Sequence, residues 1–326
     1  MIVPDYWAEA RKQHRDRERQ ITVRRFGWSN DSPEQAQALA EKRAEEALAK
    51  ALTDKSILRR EPKVPYNGAE GVPIREEVLA RYGDEVVTRN AYGARCLNTP
   101  DVLIGDIDFE SEDRSLQHFA LFLLLVIAGV AVGWSLNHFG LGLLAGMAAG
   151  ITGPFLAKVF RQWRTSKAGG HENLATKKVT SFLANHPSWN LRLYRTPAGL
   201  RVFATHALFK PADEQVQAFF THIGADPTYR KMCLKQHCFR ARLSAKPWRI
   251  GIETHMKPRP GVWPVHPERL PERNRWLKQY EQKAANYAAC QFIGAFGSGA
   301  MHPKVEAVIK LHDQESKAHV GGLTIA

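Results

Sequence analysis

The sequence predicts a mixed α+β protein of antiparallel strand pairs, interrupted by a two-helix transmembrane hairpin. Three observations lead there. Short alternating runs are bounded by turn residues, Ala- and Glu-rich stretches carry a helical period, and one long charge-free run lies mid-chain. At 326 residues the chain can bury one large core or two modest ones. Hydrophobic and charged fractions of 44% and 24% exclude wholesale disorder.

The first twenty residues are charged and contain no apolar leader core. "ITVRRFGWS" (Ile21 to Ser29) reads as a strand, followed by a helix capped by Asp31 or Ser32 with Pro33 in its first turn. Its Ala, Glu and Lys content suggests a largely solvated helix. Residues 85–109 read as two or three strands joined by turns at "YG" and "NTP". The charge-free run between Arg114 and Lys158 is about twice the ~20 residues that one membrane helix needs. It divides into Phe119 to Leu136 and Phe139 to Phe160, with Asn137-His138 as the turn. Gly142/Gly146 and Gly146/Gly150 are small-residue pairs suited to close helix approach. Lys158, Arg161, Arg164 and Lys167 then fix that end inside by the positive-inside rule.

This arrangement implies three parts: residues 1–115, a bilayer hairpin at 116–160, and residues 161–326. The outer two would share the cytoplasm and fold together, since a hairpin returns to the side it left. The expected location is the inner (cytoplasmic) membrane, with both termini cytoplasmic and the bilayer as a partner. Four cysteines are too few for a disulfide framework. Farther on, "HENLATKKVTSFLANHP" and "DEQVQAFFTHI" read as helices. "WNLRLYRTPAGLRVFATH" reads as a hairpin with Pro197 at the first turn position and Gly199 as a left-handed residue. "CFRARLSAKPWRIGIET" reads as two short strands, and Glu272 to Phe296 as one long helix.

The charge is the functional clue: 46 Lys and Arg against 33 Asp and Glu, a formal +13. It predicts an anionic partner, whether nucleotide, nucleic acid or anionic lipid headgroups, or else a merely solubilising surface. Strand alternation places Asp106, Asp108 and Glu110 on one face, where carboxylates can converge on Mg²⁺ or Mn²⁺; the plain alternative is solvated acids at a strand end. The hairpin bearing Arg195, Thr196, Gly199 and Arg201 offers donors for phosphate oxygens. From Arg230 to Trp276 there are 12 Lys and Arg against 3 Asp and Glu. Within that stretch Arg240 and Arg242 share a strand face, and Lys246 and Arg249 flank Trp248, as on a polyphosphate, nucleic-acid or lipid-facing surface. Cys233, His237 and Cys238 match no usual zinc spacing. His312-Asp313 is a candidate metal or acid–base pair.

Taken in order, "GDIDFE", "RTPAGLRVF" and "LHD" resemble motifs of the archaeo-eukaryotic primase superfamily. The resemblance implies metal binding by Asp106 and Asp108, phosphate contact by the turn, and a final acid at Asp313. This chain has Arg201 where that family's turn usually ends in His, and the family's plan has no membrane hairpin between the first two motifs. The whole chain also resembles a bacterial membrane-protein family, which implies no activity. The function expected is a membrane-anchored cytoplasmic protein with a divalent-metal and nucleotide-phosphate site, for phosphoryl or nucleotidyl transfer or for binding alone. The alternative is a non-enzymatic membrane adaptor whose basic face meets anionic lipid or a protein partner.

Overall fold

The chain opens on a long hairpin, β1 (Tyr6–Arg15) paired with β2 (Gln20–Ser29), and α1 (Pro33–Thr53) packs against it. This computed structural model describes residues 3–17, 19–53, 72–109, 115–167, 169–259 and 263–326. Ala36, Ala40, Ala44, Ala47 and Ala51 recur every three or four residues and are all buried. That strip of methyl groups lets the backbones approach so closely that a Cβ at Gly27 would overlap Ala36 and Ala40. α1 is therefore buried along this narrow strip, while most of its other residues are exposed. The charges of β1 conceal a strand whose Ala8 and Ala10 pack toward α1.

Next come β3 (Glu77–Tyr82), β4 (Glu85–Arg89) and β5 (Arg95–Thr99), an antiparallel meander, and then β6 (Ile104–Asp108). Helices α2 (Ser115–Ser135) and α3 (Phe139–Lys167) form a hairpin, and α4 (Gly170–Asn185) leads to β7 (Asn190–Thr196) and β8 (Gly199–Ala204). Beyond them lie α5 (Glu214–Ile223), α6 (Pro227–Gln236) and β9 (Phe239–Arg242). The chain then forms α7 (Leu270–Ala284), β10 (Tyr287–Ala288), β11 (Gln291–Gly297), α8 (Pro303–Ser316) and β12 (Thr324–Ile325). Two four-stranded antiparallel sheets result, ordered β3-β4-β5-β9 and β11-β7-β8-β6, and β10 pairs in parallel with β12. Each large sheet joins strands that precede the helical hairpin to strands that follow it. The main core gathers Ile104, Ile107, Leu191, Leu193, Val202 and Phe203 with the α5 residues Phe219 and Phe220.

The mixed α+β, antiparallel part of the expected fold class is present, but the transmembrane part is corrected. Among the described residues no helix is long and apolar enough to cross a membrane. In α2 the apolar residues run from 119 to 134, 16 positions. At ~1.5 Å per residue that is about 24 Å, short of the ~30 Å hydrocarbon layer. In α3 the first half is diluted by glycine, and the same helix continues through Lys158, Arg161, Arg164 and Lys167. The bilayer partner, the inner-membrane location and the cytoplasmic assignment of both termini rested on those spans and fall with them. What the run does encode is a tight helix pair turned at Asn137, which adopts the left-handed conformation at φ 55°. A Cβ at Gly129 would lie 2.6 Å from the Gly146 Cα, and one at Gly133 would lie 2.7 Å from the Gly142 Cα. The outer faces leave Leu124, Ile127, Trp134, Leu141 and Ile151 exposed.

Three local expectations also change. Gln291–Gly297 is a strand that extends the second sheet beside β7, so the long helix ends at Ala284. Past β9, Pro247–Ile250 forms a single 3-10 turn instead of a strand. Gly199 is not left-handed; a Cβ there would overlap the Ile107 carbonyl oxygen of β6. Its role is close strand approach. Gly199→Ala should therefore destabilise the protein by about 3 kcal/mol, as overpacking does. Gly140→Ala, whose Cβ meets nothing within 4 Å, should leave stability unchanged or raise it by about 0.5–1 kcal/mol. Urea denaturation midpoints of the two variants check this, and equal losses would contradict it.

Candidate functional site

The candidate site lies where one edge strand of each sheet approaches the other, β6 from the second sheet and β9 from the first. Alternation along β6 turns Gly105 and Ile107 into the core, with Gly105 against Phe219, Phe220 and Ile223, and leaves Asp106 and Asp108 on the other face. Antiparallel register sets Asp106 opposite Arg201 and Asp108 opposite Gly199. On β9, Arg242 lies opposite Cys96 and Arg240 opposite Asn98. The interval is a pocket of about 240 Å³. Its acids are Asp106, Asp108 and Asp226, and its cations are Arg201, Arg240, Arg242, Lys246 and Arg249. Thr196, Tyr92 and Tyr229 also line it.

Each cation is held differently. Arg240 is buried and its Nη2 donates to both Glu76 carboxylate oxygens, at 2.9 and 2.7 Å, while Nη1 donates to Asn98 Oδ1 at 2.8 Å. Glu76 also accepts from the Thr88 hydroxyl at 2.7 Å. The charge of Arg240 is thus largely spent inside the protein. Arg201 is buried as well, and its Nη1 donates to the Arg242 carbonyl at 3.0 Å and to His312 Nε2 at 2.9 Å. A guanidinium only donates, so His312 Nε2 accepts and its Nδ1–H donates to Asp313 at 2.9 Å. Arg242 is anchored through Nη1 on the Ser244 and Ala326 carbonyls, at 2.8 and 3.0 Å.

The electrostatics show an excess of positive charge. Burial pushes the Arg242 guanidinium below its ordinary value, and repulsion from Arg201 adds to the shift. Lys246 is depressed by burial and by Arg242 and Arg249. Burial pushes the Asp106 carboxyl above the usual carboxylate range, against the pull of Arg201 and Arg242. Burial also raises the Tyr92 phenol, to about 12. Among the described residues these five cations face three carboxylates, and Arg240 is paired with a further buried acid, Glu76. An anion entering this pocket would relieve the repulsion.

Several residues singled out from sequence converge here: Asp106, Asp108, Thr196, Arg201, Arg240, Arg242, Lys246 and Arg249. Others do not. The two-residue turn sets Arg195 opposite Leu200 and Tyr194 opposite Arg201, so Arg195 and Arg201 take opposite faces of the hairpin. Arg195 pairs instead with Glu172 of α4 at 2.6 Å. Gly199 is absent from the pocket lining. Asp313 lies behind Arg201 and His312, taking Arg192 at 3.0 Å and His319 at 2.8 Å. Burial alone would raise its carboxyl; hydrogen bonds from His312 and His319 outweigh that and hold it below the usual range. Glu110 lies outside the described residues.

The metal-binding expectation is corrected. Among the described residues no group of three or more His, Cys, Asp and Glu side chains is placed to hold a metal ion. Asp106 and Asp108 face guanidinium and ammonium groups of the protein, which take the place expected for a cation. Cys233 and Cys238 are free and buried, with burial pushing the first thiol well up and the second to about 11. His237 is the left-handed residue that ends α6.

Sequence reasoning missed Asp226, Tyr229 and Tyr92. "DPTY" carried a signal for the first two, because an Asp before Pro is a helix start. The Asp226 side chain accepts from the Tyr229 N–H at 2.7 Å, and its own N–H donates to the Asp106 carbonyl at 2.9 Å. The Tyr229 hydroxyl donates to the Ile104 carbonyl at 2.8 Å and accepts from the Arg240 N–H at 3.2 Å, tying β6 to β9. No family model matches this sequence, and comparison with curated proteins and with solved structures gives no match.

Two stability predictions follow from these charges. Glu76→Ala should cost about 3–5 kcal/mol, because it strands a buried guanidinium, and adding Arg240→Met should recover much of that loss. A double-mutant denaturation cycle checks it; additive losses would contradict it. The second concerns pH. In the unfolded chain Asp106 titrates near pH ~3.9, and its native value is higher. Stability from this group is therefore complete below the unfolded value and lost as pH rises through the native one. Asp106→Asn should be more stable than the wild type at neutral pH, with the difference shrinking toward pH ~4.

Proposed function

We propose that this protein binds a polyphosphate-bearing ligand, foremost a nucleotide, in the pocket between β6 and β9. One observation carries the reading: besides the Glu76-bound Arg240, four cations converge on a recess whose described lining holds three acids, and burial and mutual repulsion depress Arg242 and Lys246. Phosphate oxygens match this donor set, with forked guanidiniums from Arg201 and Arg242, the Lys246 ammonium and the Thr196 hydroxyl. The recess favours a small ligand over the membrane-adaptor alternative, since a flat anionic surface cannot follow cations to the bottom of a pocket between strands. Mg²⁺ or Mn²⁺ enters this reading as the counter-ion of the ligand's phosphates, not as an ion held by a protein cluster.

The test is calorimetric titration with inorganic tripolyphosphate, with and without Mg²⁺. Lys246→Ala and Arg249→Ala should each weaken binding by about tenfold, the loss expected for one charge-assisted phosphate contact. Asp108→Asn, which removes a like charge, should tighten binding. Lys310→Ala, an exposed α8 residue paired with Glu306, should change nothing. Binding that the pocket variants leave intact would refute the proposal.

A further inference from the structure

A second cleft, of about 380 Å³, adjoins the cationic pocket and differs from it in chemistry. Tyr92, Trp248, Trp276, Ile252 and Met256 supply aromatic and apolar walls. Tyr92 lines both cavities. The turn Pro247–Ile250 makes the same junction, sending Trp248 to the cleft and its neighbour Arg249 to the pocket. Lys246, a pocket cation, has its Nζ 5.5 Å from the Trp248 ring centroid.

Resting on the polyphosphate reading above, we infer that this cleft receives the base of a nucleotide whose phosphates occupy the cationic pocket. The floor is fixed. Trp276 is buried, donates from Nε1 to the Thr254 carbonyl at 3.0 Å and lies parallel to Tyr280, with centroids 5.4 Å apart and planes at 8°. The rim is open. Trp248 is 54% exposed and meets Tyr92 at 5.2 Å with planes at 64°, so the two rings are not stacked on each other. A large aromatic left exposed at the mouth of a charged pocket is a stacking platform for a planar base, and such stacking tolerates any base because each has a π-face. Thr254, Glu253 and Arg259 supply polar groups for a base edge at the rim. Size agrees: the cationic pocket alone falls below the ~300–1,000 Å³ usual for small-molecule sites, and joined to the cleft it falls within that range.

The experiment is calorimetry on the full chain with ATP, GTP, CTP, UTP and inorganic tripolyphosphate, which share the triphosphate and differ in the base. Stacking on one aromatic predicts that nucleoside triphosphates bind the wild type at least about tenfold tighter than tripolyphosphate. Trp248→Ala should erase that advantage while leaving tripolyphosphate affinity unchanged, and Trp248→Phe should keep most of it. Equal affinity of nucleotides and tripolyphosphate for the wild type would overturn the base cleft and leave the polyphosphate pocket standing. So would a Trp248→Ala variant that weakens both ligand types alike. Failure of every ligand to bind would overturn the pocket reading and the base cleft with it.

Discussion

A single buried guanidinium, Arg201, sets the geometry on which the rest of the site depends. It is carried by β8 in the second sheet, donates to the Arg242 carbonyl at the end of the first sheet, and donates to His312 of α8. Three elements distant in sequence are fixed by one planar group. Burying such a charge is costly unless other groups satisfy it. Here the cost is offset by those hydrogen bonds; Asp106, opposite it in the β6–β8 ladder, feels its field, but burial outweighs that pull. Behind it, His312 is fixed in one tautomer by Asp313, and Asp313 by Arg192 and His319. The pocket wall is thus backed by a chain of hydrogen bonds that reaches the surface at His319.

The position of the pocket follows from sheet topology. Edge strands carry unpaired backbone groups and are usually shielded by charged side chains or covered by other structure. Here the edges β6 and β9 face each other, and their charged side chains, which would shield a lone edge from solvent, line the space between them. Two ties cross between the sheets: Tyr229 bridges the Ile104 carbonyl and the Arg240 N–H, and Arg201 reaches the Arg242 carbonyl; Arg240 itself is locked to Glu76 and Asn98. One arginine of β9 is therefore structural and the next, Arg242, borders the recess. Strand alternation put both on one face, but burial divided their work.

How much of this was legible in the sequence depended on range. Alternation along "DVLIGDIDF" separated the acids from the core residues, and "YRTPAGLRVF" marked its own hairpin, because both patterns are local. Arg195 was misassigned although the register of a two-residue turn would have turned it away from Arg201. The pairing of β5 with β9 and of β6 with β8 crosses more than ninety residues of chain, and nothing local encodes it. The same limit hid Glu76 as the partner of Arg240. The charge-free run encoded two helices and the Asn137 turn, yet it was read as two membrane spans. The reach of a helix is set by its own apolar length, and the combined length of the run overstated it. Tyr92 was another blind spot: it stands in a turn, where no periodicity marks it, whereas Trp248 was visible through its basic neighbours Lys246 and Arg249.

The most direct test of the cationic pocket is a crystal structure of the protein soaked in tungstate, an anomalously scattering phosphate mimic, with a Lys246→Ala/Arg249→Ala crystal soaked in parallel. The account predicts an anomalous peak among Arg201, Arg242 and Lys246 in the wild type, and its loss or marked weakening in the double variant. A pocket without tungstate, while the ion orders elsewhere on the surface, would contradict it.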